Sequence, residues 1–330
     1  MVLNTPERGR VNFDATALAE CLSSAALEAD SYNPLPDSVF DEYNAYYALD
    51  IADAEHSFGL LVSHHQRIFV QTFVPRTVRA WAVVCHGYYD HIGLYGNLIR
   101  VLLDRDIAVI GFDQIGHGLS SGERVVIDDF QHYVDVMSDV HDFACSRSAN
   151  LPLHWFGQSM GGALVMEYWQ QTPKQALTGE MVLFAPLVRP YGWATLQWYF
   201  HIVKYFVRQR PRDVATNMEN PEFVALQIAD PLQARIVPVS WVQSMVNWFT
   251  RFTRYPTSPL QPKVLQGYGD RTVDFRYNMK VIDKLYPDGA IHIIAPARHH
   301  MVNEVPEVLS AMWEWLDKAC QWHHPRDGSN

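Results

Sequence analysis

No uninterrupted apolar run in this 330-residue chain reaches the roughly 18–20 residues needed to span a bilayer. Yet 48% of its residues are hydrophobic, so the apolar content is dispersed into short segments suited to a large globular core. Cysteine is scarce: Cys21, Cys85, Cys145 and Cys320 stand far apart and form no CxxC pair. That excludes a disulfide framework or cysteine zinc site and leaves reduced thiols as the expectation. Positive charge is also in deficit, with 26 Lys and Arg against 36 Asp and Glu, a net charge of −10. Such a balance argues against a nucleic-acid partner, which needs clustered cations. No secretory leader is read, because Glu7, Arg8 and Arg10 precede any apolar run. The expected location is cytoplasmic.

What the chain does have, from about residue 56 onward, is alternation. Strand-length runs at His56–Val62, Arg67–Val74, Trp81–Cys85, Ala108–Phe112, Leu153–Phe156, Met181–Phe184, Lys263–Gln266 and Ile291–Ile294 are separated by helical patterns at about 92–104, 127–145, 159–172, 274–285 and 304–320. In the second helix Phe130, Tyr133, Met137, Val140 and Ala144 recur at three- and four-residue spacing. Short apolar strands alternating with helices predict an α/β fold: a mostly parallel eight-stranded sheet with helices on both faces. Residues 1–55 read as a helical N-terminal extension, with helices at Ala15–Ala29 and Asp37–Leu49 separated by an Asn33-Pro34-Leu35-Pro36 break. The predicted core spans 56–186 and 261–320, with an insertion at 187–260 and a tail at 321–330. The insertion holds 13 aromatics between positions 191 and 255, about 20% against 13% for the chain, and seven Lys/Arg against four Asp/Glu.

The chemistry concentrates at strand ends. Gly157-Gln158-Ser159-Met160-Gly161-Gly162 follows the fifth predicted strand and opens a helix. Strand, sharp turn with a serine between two glycines, then helix is the context of a nucleophile elbow, which presents the hydroxyl above the sheet edge. A serine hydroxyl becomes a nucleophile only when an oriented base takes its proton. The acid is sought past the seventh strand, where Asp270 follows Gly267-Tyr268-Gly269; Asp274 is better placed to cap the next helix. The base is sought past the eighth strand, at His299 or His300. Oxyanion donors are expected from the backbone amides of Met160 and, in the loop after the third strand, Tyr88. Neither a metal nor a cofactor is called for, since no carboxylate or cysteine flanks the histidine pair at ligand spacing. Cys85, beside the oxyanion loop, is expected to make the protein sensitive to thiol reagents.

His86-Gly87-Tyr88-Tyr89-Asp90-His91 followed by Tyr95 resembles the H-G-x-x-[ED]-H-x-x-x-Y loop of monoacylglycerol lipases and related lysophospholipases. Asp113 to Arg124 is similar to their D-x-x-G-H-G-x-S-x-G-E-R segment, and Gly157–Gly162 to their G-H-S-M-G-G, with Gln158 in place of histidine. Gly267–Arg271 resembles G-x-x-D-R, and Arg298–Glu304 the R-H-x-x-x-N-E of bacterial members. The likeness covers roughly 56–186 and 262–318; the first 50 or so residues have no counterpart, and the insertion matches only in position. It implies an α/β-hydrolase fold, a serine carboxylic-ester hydrolase acting on lipid-like esters, and a Ser159, Asp270 and His299 triad with His299 preferred over His300. Asp113 and His117 are implied to organise the loop behind the nucleophile.

In that family the insertion caps the active site. Here Gly192–Val207 carries only Thr195, Gln197, His201 and Lys204 as clearly polar side chains, so it is either buried or turned toward a lipid. Trp193, Trp198, Phe200, Trp241 and Trp248 are the expected substrate-binding aromatics, with Phe249 and Phe252 beside them. Arg208, Arg210 and Arg212 follow the helix, and together they suggest a cap resting on an anionic inner membrane surface and admitting single-chain lipids.

Overall fold

The structure is a computed structural model and describes residues 12–28, 31–212 and 217–323. The expectations at residues 1–11 and 324–330 lie outside the described residues.

Eleven strands occur among the described residues: β1 (Tyr32–Leu35), β2 (Ala54–Ser63), β3 (Gln66–Pro75), β4 (Ala80–Cys85), β5 (Ile107–Phe112), β6 (Leu153–Gln158), β7 (Met181–Phe184), β8 (Gln209–Pro211), β9 (Ile236–Pro238), β10 (Lys263–Gly267) and β11 (Ala290–Ile294). The α-helices are α1 (Ala15–Ser24), α2 (Asp41–Tyr47), α3 (Gly96–Leu103), α4 (Gln131–Ser148), α5 (Met160–Gln171), α6 (Trp193–Val203), α7 (Pro221–Ala229), α8 (Val239–Phe252), α9 (Phe275–Leu285) and α10 (Pro306–Ala319). Among the described residues no helix is long and apolar enough to cross a membrane.

Nine strands form one sheet in the order β1-β2-β3-β5-β4-β6-β7-β10-β11, and β8 and β9 pair separately. From β5 to β11 every neighbouring pair is parallel; β1, β2 and β3 add an antiparallel flank. Every residue of β4, β5, β6 and β7 is buried, which is why these segments are apolar throughout instead of alternating. Along β4 the side chains divide between the two faces. Ala80, Ala82 and Val84 join the core with α3, α10 and the N-terminal helices. Trp81, Val83 and Cys85 join the core with α4, α5, α8 and α9.

Two expectations at the N-terminus are corrected. The Asn33-Pro34-Leu35 stretch is not a break but strand β1, paired antiparallel with β2. Pro34 is tolerated because β1 is the sheet edge, where an amide facing outward is not needed. Residues before 56 are thus sheet as well as helix, and Phe40, Tyr43, Tyr47 and Leu49 lie in the same core as Phe58 and Phe69. At the other end Trp322 does not trail away. Its carbonyl lies 2.7 Å from His154 Nε2, and its ring is buried beside Phe156.

The chain runs from β4 to β5 on one side, then returns to place β6 on the other side of β4. The loops leaving β4 and β6 therefore diverge at their carboxyl ends and leave a crevice, the usual ligand site of an open parallel sheet. Between β7 and β10 the insertion α6-β8-α7-β9-α8 covers it.

Candidate active site

Ser159 sits between β6 and α5 with φ 54° and ψ −112°, a strained conformation that lifts its side chain out of the strand-to-helix turn. The flanking glycines are steric necessities. A Cβ on Gly157 would stand 2.6 Å from the Gly161 carbonyl oxygen, and one on Gly161 2.1 Å from that of Cys85.

His299 Nε2 lies 2.9 Å from Ser159 Oγ, and His299 Nδ1 lies 2.8 Å from Asp270 Oδ2. A carboxylate only accepts, so Nδ1 carries the proton and Nε2 presents a lone pair to the hydroxyl. Asp270 is in turn fixed: Oδ1 accepts from the Thr272 and Val273 amides at 2.7 and 3.1 Å, and Oδ2 from Gln266 Nε2 at 3.0 Å. Burial alone would raise the Asp270 pKa, but the adjacent His299 and the donated hydrogen bonds bring it below the ordinary carboxylate range. Asp274 does cap α9, accepting from the Tyr277 amide, and pairs with Arg189. His300 points to a different carboxylate, with Nε2 3.1 Å from Asp90 Oδ2.

Gln158, the departure from the histidine of the family motif, has a visible task. Its Nε2 donates to the His299 carbonyl at 2.8 Å. The His299 and His300 amides donate to the Asn217 carbonyl at the cap. Met160 N opens α5, where the first-turn amides have no intrahelical acceptor. Tyr88 is held by more than its backbone: its hydroxyl donates to the Val125 carbonyl at 2.7 Å, and its ring stacks on Trp241 of α8 at 3.7 Å. Behind it, the Gly87 amide donates to the Tyr95 hydroxyl, which donates to Asp90 Oδ2. Asp113 accepts from the Ile92 and Leu119 amides, and His117 Nδ1 bonds the Ile115 carbonyl.

Further anchoring was not legible beforehand. Asp230 at the end of α7 accepts from Tyr47 of the N-terminal segment at 2.7 Å and lies 2.9 Å from His91 of the loop after β4. Glu167 on α5 is fully buried and gathers Trp248, Arg251 and Tyr255 from the insertion.

A cavity of about 530 Å³ opens beside Ser159 and His299, with Tyr88 in its wall. Trp193, Phe200 and Trp241 line it; Trp198 and Trp248 do not. Trp198 is 74% exposed on the outer side of α6. Trp248 is turned inward, stacked on Phe130 and bonded to Glu167, because the apolar stripe of α8 that carries it packs on the core. Phe252 is buried in the same core, and Phe249 packs edge-on against Trp193. The apolar α6 divides: Trp193, Tyr199, Phe200 and Val203 line the cavity, while Ile202 and, just past the helix, Tyr205 and Phe206 are exposed, Phe206 at 83%. Arg210 stands in β8 and Arg212 beside it, and both line the cavity. Cys85 is fully buried and its thiol is pushed above its usual range by burial, which disfavours the thiolate that a reagent needs. Among the described residues no group of three or more His, Cys, Asp or Glu side chains is disposed to hold a metal ion.

A mainly parallel sheet, a strained serine after β6 and a covering insertion before β10 define the α/β-hydrolase fold. A yeast monoglyceride lipase, solved as a soluble variant with a substrate analogue, superposes with a TM-score of 0.70 at 18% identity, over 82% of this chain and 97% of that one. The chain belongs to the serine aminopeptidase S33 family, whose model matches residues 76–306. Among its relatives, a human monoglyceride lipase is 30% identical over 76% of this chain and 86% of its own length. A monoacylglycerol lipase of Mycolicibacterium smegmatis is 25% identical over 80% and 96% respectively.

Proposed function

We propose that this protein is a serine carboxylic-ester hydrolase that cleaves lipid-like esters through an acyl-enzyme, in the manner of a monoacylglycerol lipase. The observation that carries the reading is the unbroken chain of hydrogen bonds from Ser159 through His299 to Asp270, opening onto a largely apolar cavity. Ser159 Oγ attacks the ester carbonyl as His299 Nε2 takes its proton. The oxyanion is received by the Met160 and Tyr88 amides, each donor contributing about 10²–10³ in turnover. His299 then protonates the leaving alcohol, and a water activated by the same nitrogen releases the acid. Asp270 stays ionised, holding the imidazole in the required tautomer and stabilising its cation.

Trp193, Phe200 and Trp241 supply the apolar wall for the acyl chain. Lysophospholipase, thioesterase and short-chain carboxylesterase activity would use the same machinery, and a ligand-binding protein would need none of it. Labelling by a fluorophosphonate probe, lost in Ser159→Ala and His299→Ala, tests the mechanism; labelling that persists without Ser159 refutes it. A chain-length series of acylglycerols separates the substrates, with rates expected to rise from acetyl toward medium and long chains.

The exposed face of α6 supports peripheral contact with a bilayer. Trp198, Ile202, Tyr205 and Phe206 are exposed along and just past α6, with Arg208 following in sequence, and aromatic side chains near cations suit an anionic lipid interface. Cosedimentation with phosphatidylglycerol vesicles at low salt, weakened in Trp198→Ser/Phe206→Ser, is the expected result; no binding at low salt removes this part of the reading.

A further inference from the structure

The insertion grips the loop after β4 through that loop's own side chains. The Trp241 ring of α8 lies flat on the Tyr88 ring, with 3.7 Å between centroids and 16° between planes. On the next residue the Arg212 guanidinium lies 3.6 Å from the centre of the Tyr89 ring. Trp241 is itself buried in the core that α8 shares with α4 and α5, so it is a fixed platform and not a loose cover. On its other sides the Tyr88 ring meets Tyr89 at 4.2 Å and His117 at 5.3 Å, and its hydroxyl donates to the Val125 carbonyl at 2.7 Å.

This loop needs holding. The Asp90 amide donates to the Gly87 carbonyl at 3.1 Å and closes a turn, in which Tyr89 stands third at φ 75°. Glycine is the usual occupant of such a position. A larger residue there is strained and persists only where its surroundings impose the conformation. The core imposes one end of the loop. The Gly87 carbonyl lies 2.8 Å from His86 Nδ1, and His86 Nε2 accepts from the Gln114 amide, so Nδ1 carries the proton and donates. The Gly87–Tyr88 peptide is thereby pinned through its carbonyl, and in a trans peptide the N–H points the opposite way. A Cβ on Gly87 would stand 3.5 Å from the Ser159 Cβ, so this peptide passes beside the serine. What the core contacts leave open is the far side of the peptide, the Tyr88 α-carbon and its side chain. There the face of Trp241 takes over.

We propose that Trp241 is a positioning residue for the Tyr88 amide: by stacking on the ring, the insertion sets the tilt of a backbone donor to the oxyanion. Arg212 supports the same turn through Tyr89. Resting on the hydrolase reading above, with the Tyr88 N–H as an oxyanion donor, this makes the side chain at 88 matter to the chemical step although the donor is a backbone group. An aromatic pair shifts an equilibrium by up to about tenfold, well short of the about 10²–10³ that a lost oxyanion donor costs. Removing the stack should therefore leave a misaligned donor and not a missing one.

The test uses 4-nitrophenyl acetate, whose acyl group is too short to draw on the apolar wall. Tyr88→Leu keeps the backbone donor and removes the stack, and kcat is expected to fall about five- to tenfold with KM little changed. Tyr88→Phe keeps the ring and loses only the bond to Val125, so it should stay within about threefold of wild type. Trp241→Leu should match Tyr88→Leu, and Trp241→Phe, which keeps a ring over Tyr88, should recover most of the rate. The double variant Tyr88→Leu/Trp241→Leu should be no slower than either single one, because both remove the same contact. Losses that multiply in the double variant, or a Trp241→Leu effect confined to KM, overturn the proposal and leave the hydrolase reading standing. So does a Tyr88→Leu protein with wild-type kcat. If Trp241→Leu does not fold, Tyr88→Leu against Tyr88→Phe decides by the same criterion. A wild type with neither turnover nor fluorophosphonate labelling sinks the hydrolase reading, and this inference with it.

Discussion

Replacing Glu167 by glutamine tests whether the insertion is fastened to α5, the helix that follows Ser159. Glu167 Oε1 accepts from Arg251 Nη2, the Tyr255 hydroxyl and Gln171 Nε2, each at 2.9 Å, and Oε2 accepts from Trp248 Nε1 at 3.0 Å. An amide can keep its oxygen on the crowded side only by turning its NH₂ toward the Trp248 indole, another donor. That contact is lost inside the core at a cost of about 1–3 kcal/mol. The three remaining bonds become neutral-acceptor bonds of about half their former strength. Arg251 is 45% exposed, so its share is largely screened. Relief of the buried charge returns part of the loss. The net expectation is a destabilisation of about 2–3 kcal/mol, which for a chain this long lowers Tm by about 3–4 °C. Trp248→Phe, which removes one donor and leaves the carboxylate its other three, should cost about half as much. Because α8 also carries Trp241, Val242 and Met245 in the cavity wall, KM for a long-chain ester should rise in Glu167→Gln more than kcat falls. Calorimetric scans and steady-state kinetics on the three proteins give the answer. A Tm unchanged within about 1 °C, or raised, would show that charge desolvation outweighs the hydrogen bonds and refute the reasoning.

Asp270→Asn should lower kcat by about 10³–10⁴. The Thr272 and Val273 amides hold the asparagine oxygen on their side, leaving its NH₂ facing His299 Nδ1 and forcing the wrong tautomer; steady-state turnover of a decanoyl ester reads this. A bulky maleimide should modify exposed Cys21 and Cys145 but not Cys85, with activity retained, as mass spectrometry and a parallel assay would show. Burial holds His56 down to about 4 and His117 to about 3. Both stay neutral when folded and gain protons when unfolded below about pH 6.5, so stability falls with pH from there toward 4, by about 1.4 kcal/mol per pH unit for each. Urea unfolding at pH 7 and pH 5 measures the slope, which should be shallower in His56→Phe.

The succession of strands and the elbow at Ser159 were readable from the linear chain because each is tied to local pattern, whereas His299 was preferred to His300 only through the family resemblance. Buried parallel strands must be continuously apolar, and an elbow between β6 and α5 admits no Cβ at Gly157 or Gly161. Pro34 misled because proline excludes a central strand but not an edge one, and whether a strand is an edge depends on what lies beside it. The tryptophans of the insertion show the same boundary. Trp193, Trp198, Trp241 and Trp248 are alike in composition, and their destinations, cavity wall, solvent or core, follow from how α6 and α8 are rotated against the sheet. Rotation is set by packing and by contacts between residues far apart in sequence, such as Trp248 with Glu167 and Trp241 with Tyr88. The chain alone therefore offered Ser159, Asp270 and His299 as the candidates for the chemistry. Folding in three dimensions decided which side chains surround it, because the stacking of Arg212 on Tyr89, the hydrogen bond of Gln158 to the His299 carbonyl and the burial of Cys85 all come from neighbours that no local pattern names.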